Sequence, residues 1–487
     1  MTDKIVVGGV SVDTRHWIGG RRVASGDTFT DTSPIDGSAL GEIARGGPAE
    51  AGAAVAAARD AFPAWAATPR AERARILHAI ADGVEKRLEE LAIVETTDNG
   101  ALLRSHRRGV MPRVAHNFRF FADWLLTLEH EDFETRGHTN HVSWDPAGPC
   151  VLITPWNAPL MLATWKVAPA LAAGDTVVLK PAEWSPLTAS LLADIAAEAG
   201  LPAGVLNVVQ GYGSEIGDPL TSHPDVRRIS FTGSVPTARR IAASAAANLT
   251  PLSLELGGKS PLLVFADADL DLAVDLAVEQ YDNAGQVCLA GTRLLVEASI
   301  AEEFTRRFVE KAEGLTQGDP RDEATDIGPN IHPRQLEKID GFVRRAVAAG
   351  ARAVIGGQRK DGQYYAPTLL TDVAQDSEIV QEEVFGPVLT LQTFDSEEEA
   401  VRLANDTRFG LAATLATGDP ERAARVTARL VAGTVWVNCF FVRDLQAPFG
   451  GSRLSGVGRE GGTWSFDFYC DLKNTVTAPK GWSRNHG

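Results

Sequence analysis

Cysteine is scarce. The 487-residue chain has four, Cys150, Cys288, Cys439 and Cys470, all far apart. None forms a C-x-x-C pair, which leaves zinc-ribbon and dithiol readings without support. So few thiols in so long a chain suit a reducing compartment, where a thiol stays free, and a cytoplasmic setting is expected. Positive charge is also short: 47 Lys and Arg face 63 Asp and Glu, for a net charge of −16. That balance argues against nucleic acid or an anionic membrane surface as the main partner. It also means that an anionic substrate would need a local positive site. The ten histidines include no H-E-x-x-H, and no metal site is expected. His138 and His141 flank a strand start and read as surface residues. No G-x-S-x-G occurs, so a serine-hydrolase elbow has no support. Met1-Thr2-Asp3-Lys4 leads into no sustained apolar stretch, and no secretory signal is expected.

Charge is missing altogether between Pro146 and Trp165, a stretch near membrane-spanning length. Pro146, Pro149, Pro155 and Pro159 each remove an N–H donor, which a spanning helix could not tolerate. The segment reads instead as a buried strand followed by a functional loop.

The remaining composition is ordinary for a globular protein, with 44% apolar and 23% charged residues. At roughly 150 residues per domain the length allows about three domains. Strand-like runs at Val151–Thr154, Thr176–Leu179, Val205–Val209 and Arg228–Phe231 alternate with helical stretches such as Leu187–Ala199. Gly200 and then Pro202 stop that helix. A second series has strands at Pro261–Phe265, Thr292–Val296, Ala353–Ile355, Val388–Phe394, Ala412–Thr417 and Thr434–Asn438. Its helices are read at Asp269–Tyr281, Ile300–Glu313, Arg334–Ala349, Glu397–Asn405 and Pro420–Leu430. Such alternation implies parallel sheets with right-handed crossovers. Two α/β units therefore meet near Glu255–Ser260. The chain before them is mostly helical from Ala49 to about residue 130, with alanine-rich faces.

Several segments carry chemistry. Cys288 follows Asn283-Ala284-Gly285-Gln286-Val287, a setting poorly suited to core packing. A thiol there can attack a carbonyl, and the separate carboxylate of Glu255 can then activate water. Pro155-Trp156-Asn157 follows a buried strand, where ligands bind in open α/β sheets. Asn157 there either donates to a developing oxyanion or completes a turn. Phe231-Thr232-Gly233-Ser234 opens a helix, where N–H groups attract phosphate and serine caps. Lys180-Pro181-Ala182-Glu183 ends a strand; its lysine and carboxylate either hold a ribose diol or form a solvated charged loop. If they hold the ribose, Glu183 repels a 2′-phosphate and favours NAD over NADP. Gly211-Tyr212-Gly213 with Gly217 is one residue too long for the dinucleotide fingerprint. Gly258-Lys259-Ser260 imitates a P-loop, but Ser253 stands where that motif needs glycine. Cys439 reads as a packed thiol.

These motifs occur in a telling order: Pro155-Trp156-Asn157, Lys180-Pro181-x-Glu183, Phe231-Thr232-Gly233-Ser234, Glu255-Leu256-Gly257-Gly258-Lys259, Gly285-Gln286-x-Cys288 and Glu383-Val384-Phe385-Gly386-Pro387. Together they resemble the NAD(P)-dependent aldehyde dehydrogenase superfamily over nearly the whole length. The resemblance implies an α/β fold with two Rossmann-like parallel-sheet domains and a small β oligomerisation element. Residues 1–128 and 147–255 would form the NAD-binding domain, and 256–465 the catalytic domain. Residues 129–146 and 466–487 would form the element that makes a homodimer or homotetramer.

By the same resemblance Cys288 is the nucleophile, Glu255 the general base and Asn157 the oxyanion donor. Lys166 and Glu460 match positions that relay a proton from Glu255. The NAD contacts fall on Ile153, Thr154, Trp156, Lys180, Glu183, Gly213, Gly217, Phe231, Gly233, Ser234, Leu256, Gly257, Glu383 and Phe385. The site is expected to favour the Cys288 thiolate, helped by the positive nicotinamide. Asp282 departs from the pattern and is expected to point away from the thiol, whose ionisation it would oppose.

Within the superfamily, the stretches Lys180–Pro186, Arg443-Asp444-Leu445 and Trp464–Tyr469 look most like 5-carboxymethyl-2-hydroxymuconate semialdehyde dehydrogenases and their 2-hydroxymuconate and 2-aminomuconate relatives. Substrates of that group carry carboxylates, and Arg113 and Arg443 are candidate anchors. Surface or interdomain salt bridges are the alternative role for both. A betaine-aldehyde or broad-range dehydrogenase would share all six motifs. A CoA-acylating enzyme would have less use for Glu255. A non-catalytic relative need not keep nucleophile, base and oxyanion donor together.

Overall fold

The computed structural model describes residues 3–483. Residues 484–487, the end of the expected oligomerisation element, and Met1-Thr2 lie outside the described residues.

Two sheets dominate. The first has eight strands, in the order Gly456–Val457, Leu252–Leu256, Arg228–Gly233, Pro149–Ile153, Thr176–Lys180, Leu206–Val208, His16–Ile18 and Arg21–Val23. The five strands from Leu252–Leu256 to Leu206–Val208 run parallel. Four of these five are fully buried or nearly so, and they read as continuous apolar runs for that reason. The second sheet has seven strands, in the order Arg352–Ile355, Thr368–Thr371, Val388–Phe394, Arg293–Glu297, Pro261–Val264, Ala412–Ala416 and Thr434–Val437. Only the edge pair Arg352–Ile355 with Thr368–Thr371 is antiparallel.

Helices cover these sheets. The alanine-rich N-terminal region forms Pro48–Ala66, Arg70–Lys86 and Leu88–Asn99. Small alanines (Ala51, Ala54, Ala58) bury one face of the first helix against the sheet. The uncharged stretch after Pro146 is a strand, Pro149–Ile153, then a loop, then the helix Pro159–Ala173. Pro159 stands at its start, where a missing N–H costs nothing. Among the described residues no helix is long and apolar enough to cross a membrane.

A third, three-stranded antiparallel sheet pairs His138–Pro146 with both Glu131–Thr135 and Cys470–Thr477. Leu472, Val476 and Phe133 are exposed on it.

Some elements differ from the sequence reading. The helix expected over Asp269–Tyr281 ends at Val278 and gives way to a 3₁₀ segment, Glu279–Gly285, that breaks at Asp282. The reading has no strand at Leu252–Leu256 or Thr368–Thr371, both short and without alternation. It also lacks the six short strands before residue 46. Gly456–Val457 crosses back to pair beside Glu255, so the first sheet ends on a strand from late in the chain.

Candidate active site

The first sheet delivers its loops to one end. Strands Pro149–Ile153, Thr176–Lys180, Arg228–Gly233 and Leu252–Leu256 are parallel neighbours, so the segments that leave them emerge together. Between these loops and the second sheet lies a cavity of about 240 Å³. Trp156, Asn157, Gly233, Ser234, Glu255, Leu256, Gly257, Cys288, Glu383 and Phe385 all line it. Five of the six separated motifs therefore meet around one space.

Cys288 reaches that space through an unusual backbone. Asn283, Ala284 and Gly285 have φ of 49°, 55° and 70°, three consecutive left-handed residues. Strain of this kind persists where the surroundings enforce it. A Cβ at Gly285 would stand 2.1 Å from the carbonyl oxygen of Gly386. The Asn283 amide donates to the Asn157 carbonyl (3.0 Å), and Asn157 Nδ2 donates to the Gln286 carbonyl (2.8 Å). The turn before the thiol and the Asn157 loop thus hold each other, and Asn157 keeps a second amide hydrogen.

The expected thiolate is not what the protein groups favour. Burial pushes the Cys288 thiol up to about 12; the Glu383 charge adds to this, and Arg443 opposes it. Glu255 is also pushed well above the usual carboxylate range, first by burial and then by the Glu460 charge, against Lys166, Arg443 and Arg459. Its Oε1 is buried and has no hydrogen-bond partner among the described residues. Asp282 does not line the cavity and is not among the charges acting on Cys288.

Below Glu255 lies a buried polar cluster. Lys166 Nζ stands 2.6 Å from Glu460 Oε1 and 2.8 Å from Ser230 Oγ. Trp165 Nε1 donates to Glu460 Oε2 at 2.5 Å.

The other expected cofactor residues surround the cavity without all lining it. Ile153 ends its strand buried, Thr154 just beyond it is buried too, and Phe231 is buried on the next. Lys180 Nζ donates to the Pro181 carbonyl (2.9 Å) and stands 3.4 Å from Glu183. Gly213 and Gly217 lie outside the cavity on the helix Gly213–Thr221. Ser234 precedes the helix Val235–Ala245, yet it meets the Thr237 hydroxyl (3.1 Å) and caps no backbone N–H. The expected serine cap is thus absent. Glu383 accepts from Gly258 N–H (3.0 Å), and a Cβ at Gly257 would stand 2.3 Å from its carboxylate. Trp184 stacks on His332 at 4.3 Å and 5° across the outer edge. The set suits a dinucleotide, with a carboxylate and lysine for one ribose, a helix start for the pyrophosphate and Glu383 for the other ribose.

Gln335 and Lys338 also line the cavity. Sequence reasoning missed both; they sit one turn apart on an amphipathic helix, Pro333–Ala348, and carry no motif.

A second cavity, about 740 Å³, reaches the segment before Cys288 at Asp282. Arg104, Arg108, Arg113, His116, Asp282 and Arg443 are among its lining. Arg104 pairs with Asp326 and Arg108 with Glu323. Arg113 and Arg443 instead lie over the Trp165 ring, at 5.8 and 5.3 Å, and Arg443 lies 3.7 Å from the Phe449 ring centre. Among the described residues neither pairs with a carboxylate within salt-bridge distance. Burial holds Arg113 down at about 10, and the neighbouring Arg443 charge adds to the effect.

Residues 22–475 match the model of the aldehyde dehydrogenase family. The chain belongs to the aldehyde dehydrogenase family. It is 44% identical to the 5-carboxymethyl-2-hydroxymuconate semialdehyde dehydrogenase of Escherichia coli over 92% of this chain and 98% of that one. It is 45% identical to the 2-hydroxymuconic semialdehyde dehydrogenase of Pseudomonas sp. (strain CF600), over 95% and 99%. Among solved structures, the betaine aldehyde dehydrogenase of Staphylococcus aureus in complex with NAD⁺ superposes with a TM-score of 0.95. That pair is 37% identical, and the match covers 98% of this chain and 97% of the other. The family fold is the one the ordered motifs imply.

Proposed function

We propose that the chain is an NAD-dependent aldehyde dehydrogenase that oxidises a carboxylate-bearing semialdehyde, of the 5-carboxymethyl-2-hydroxymuconate type, to the acid through a thioester. The observation that carries the substrate reading is the pair Arg113 and Arg443, two neighbouring guanidiniums on one cavity that, among the described residues, form no salt bridge with a carboxylate. Two like charges side by side, neither in a salt bridge, favour a ligand that brings a carboxylate to them. Relatives acting on muconic semialdehydes, at 44% and 45% identity, support the same reading.

Cys288, as thiolate, adds to the aldehyde carbon. Asn157 Nδ2 and the Cys288 N–H hold the resulting oxyanion. Collapse of that tetrahedral adduct expels hydride and leaves the acyl group on sulfur as a thioester. NAD⁺, when bound, accepts that hydride and brings positive charge near the thiol. Glu255, deprotonated, then takes a proton from water, which attacks the thioester; carboxylate and free Cys288 result. Glu460, paired with Lys166, would take the proton on from Glu255.

Glu183 at the ribose end opposes a 2′-phosphate and favours NAD over NADP. The three-stranded sheet with its exposed Leu472 and Val476 would join copies of the chain into a dimer or tetramer. A reducing cytoplasm would keep the four free cysteines as thiols.

The test is steady-state kinetics on a panel of semialdehydes with NAD and NADP compared. The reading expects the highest kcat/KM for carboxylate-bearing semialdehydes with NAD. A preference for betaine aldehyde or uncharged aldehydes would replace it.

A further inference from the structure

Trp165 takes part in both polar sites at once. Its ring lies beneath Arg113 and Arg443, and its indole N–H donates to Glu460 Oε2. That N–H is the one donor to Oε2 among the described residues, while Oε1 receives Lys166, Ser230 and, at 3.4 Å, Ser253. Consecutive residues of the helix Pro159–Ala173 thus grip the two oxygens of one buried carboxylate. Phe121 packs edge-on against the indole (6.0 Å, 63°), and Trp165 is only 5% exposed, so the ring is locked. A second tie runs in parallel. Phe449, the other ring under Arg443, exchanges backbone hydrogen bonds with Glu460, at 2.7 and 2.8 Å.

We propose that Trp165 is a positioning residue that joins the substrate-carboxylate anchor to the carboxylate relay serving deacylation. Its ring fixes the two guanidiniums, and its N–H fixes Glu460 below Glu255. Charge placed on the anchor by the substrate is then felt, through one rigid side chain, where water is activated. The inference rests on the aldehyde-oxidation reading and adds to it a residue that touches neither nicotinamide nor the reacting carbon.

The two functions separate by substitution. Trp165→Phe keeps an aromatic platform and removes only the N–H. Trp165→Leu removes both. The probes are 6-oxohexanoate, which carries a carboxylate, and hexanal, which does not. Deacylation is read as decay of the acyl-enzyme by rapid quench and mass spectrometry across pH.

In Trp165→Phe, loss of one charge-assisted hydrogen bond should slow deacylation roughly tenfold for both aldehydes. The KM for 6-oxohexanoate should stay within about threefold, since a phenyl face still attracts the guanidiniums. Glu460 stays held at Oε1, but its Oε2 is free to turn away from Glu255 and opposes the ionisation of Glu255 less, so the ascending limb of the deacylation profile moves to lower pH. The other charges and titratable groups around this pair (Lys166, Arg443, Arg459, Cys288, Tyr469) are unchanged in that variant. Trp165→Leu should also raise KM for 6-oxohexanoate roughly tenfold and leave that for hexanal unchanged.

A Trp165→Phe enzyme whose deacylation rate and pH limb match the wild type overturns the tie to Glu460. A Trp165→Leu enzyme with equal KM changes for both aldehydes overturns the tie to the anchor. If the wild type makes no NADH from these aldehydes or from a muconic semialdehyde, the aldehyde-oxidation reading itself falls, and the inference falls with it.

Discussion

Lys166 Nζ lies 2.6 Å from Glu460 Oε1, and both side chains are buried beneath Glu255. Removing one partner leaves the other charge desolvated. Lys166→Met should therefore destabilise the protein by about 3–5 kcal/mol, measurable by urea unfolding. It should also slow deacylation while leaving the NADH-forming step within a few-fold of wild type. Equal stability and an unchanged deacylation rate would remove the pair from both roles.

The pH behaviour of Cys288 follows from its surroundings. The thiolate is the reactive form, and burial with the Glu383 charge holds the thiol at about 12. Alkylation by iodoacetamide without cofactor should then rise about tenfold per pH unit through neutrality and keep rising past about pH 9. Glu383→Gln should speed alkylation at any fixed pH, because one opposing charge is gone. Adding NAD⁺ should also speed it. A plateau below about pH 8 would mean that the thiolate is already favoured by the protein alone.

Arg113 and Arg443 should not respond alike. Arg443 is among the charges that favour the Cys288 thiolate, and Arg113 is not. Arg113→Ala should lower kcat/KM for 6-oxohexanoate about 10–100-fold, as expected for hydrogen bonds to a charged group, and spare hexanal. Arg443→Ala should lower it for both, and more for 6-oxohexanoate. Retained activity on muconic semialdehydes after Arg443→Ala would remove the anchor reading.

Much of this was legible before the structure. Strands buried on both faces, such as Pro149–Ile153 and Thr176–Lys180, are short apolar runs that stand out from helical surroundings. The six motifs stand at strand ends and in the loops that follow, and survive as local patterns. Arg113 and Arg443 could be named as candidates, but their shared platform on Trp165 could not, because it joins residues far apart in the chain. The thiol's high pKa was missed for a related reason. Local sequence shows glycine and glutamine beside Cys288, whereas burial and Glu383 arrive through tertiary folding. The helix ending early at Val278 reflects tertiary context too: Asn283 is drawn to the Asn157 carbonyl. Gln335 and Lys338 carry no pattern that separates them from an ordinary amphipathic helix.

The central claim is that Cys288 carries the acyl group and that Glu255 frees it. Glu255→Gln keeps the shape and removes the base. On rapid mixing with NAD and 6-oxohexanoate, this variant should release a burst of about one NADH per active site and then stall, with the acyl group found on Cys288. Continued turnover at the wild-type rate would contradict the assignment of Glu255.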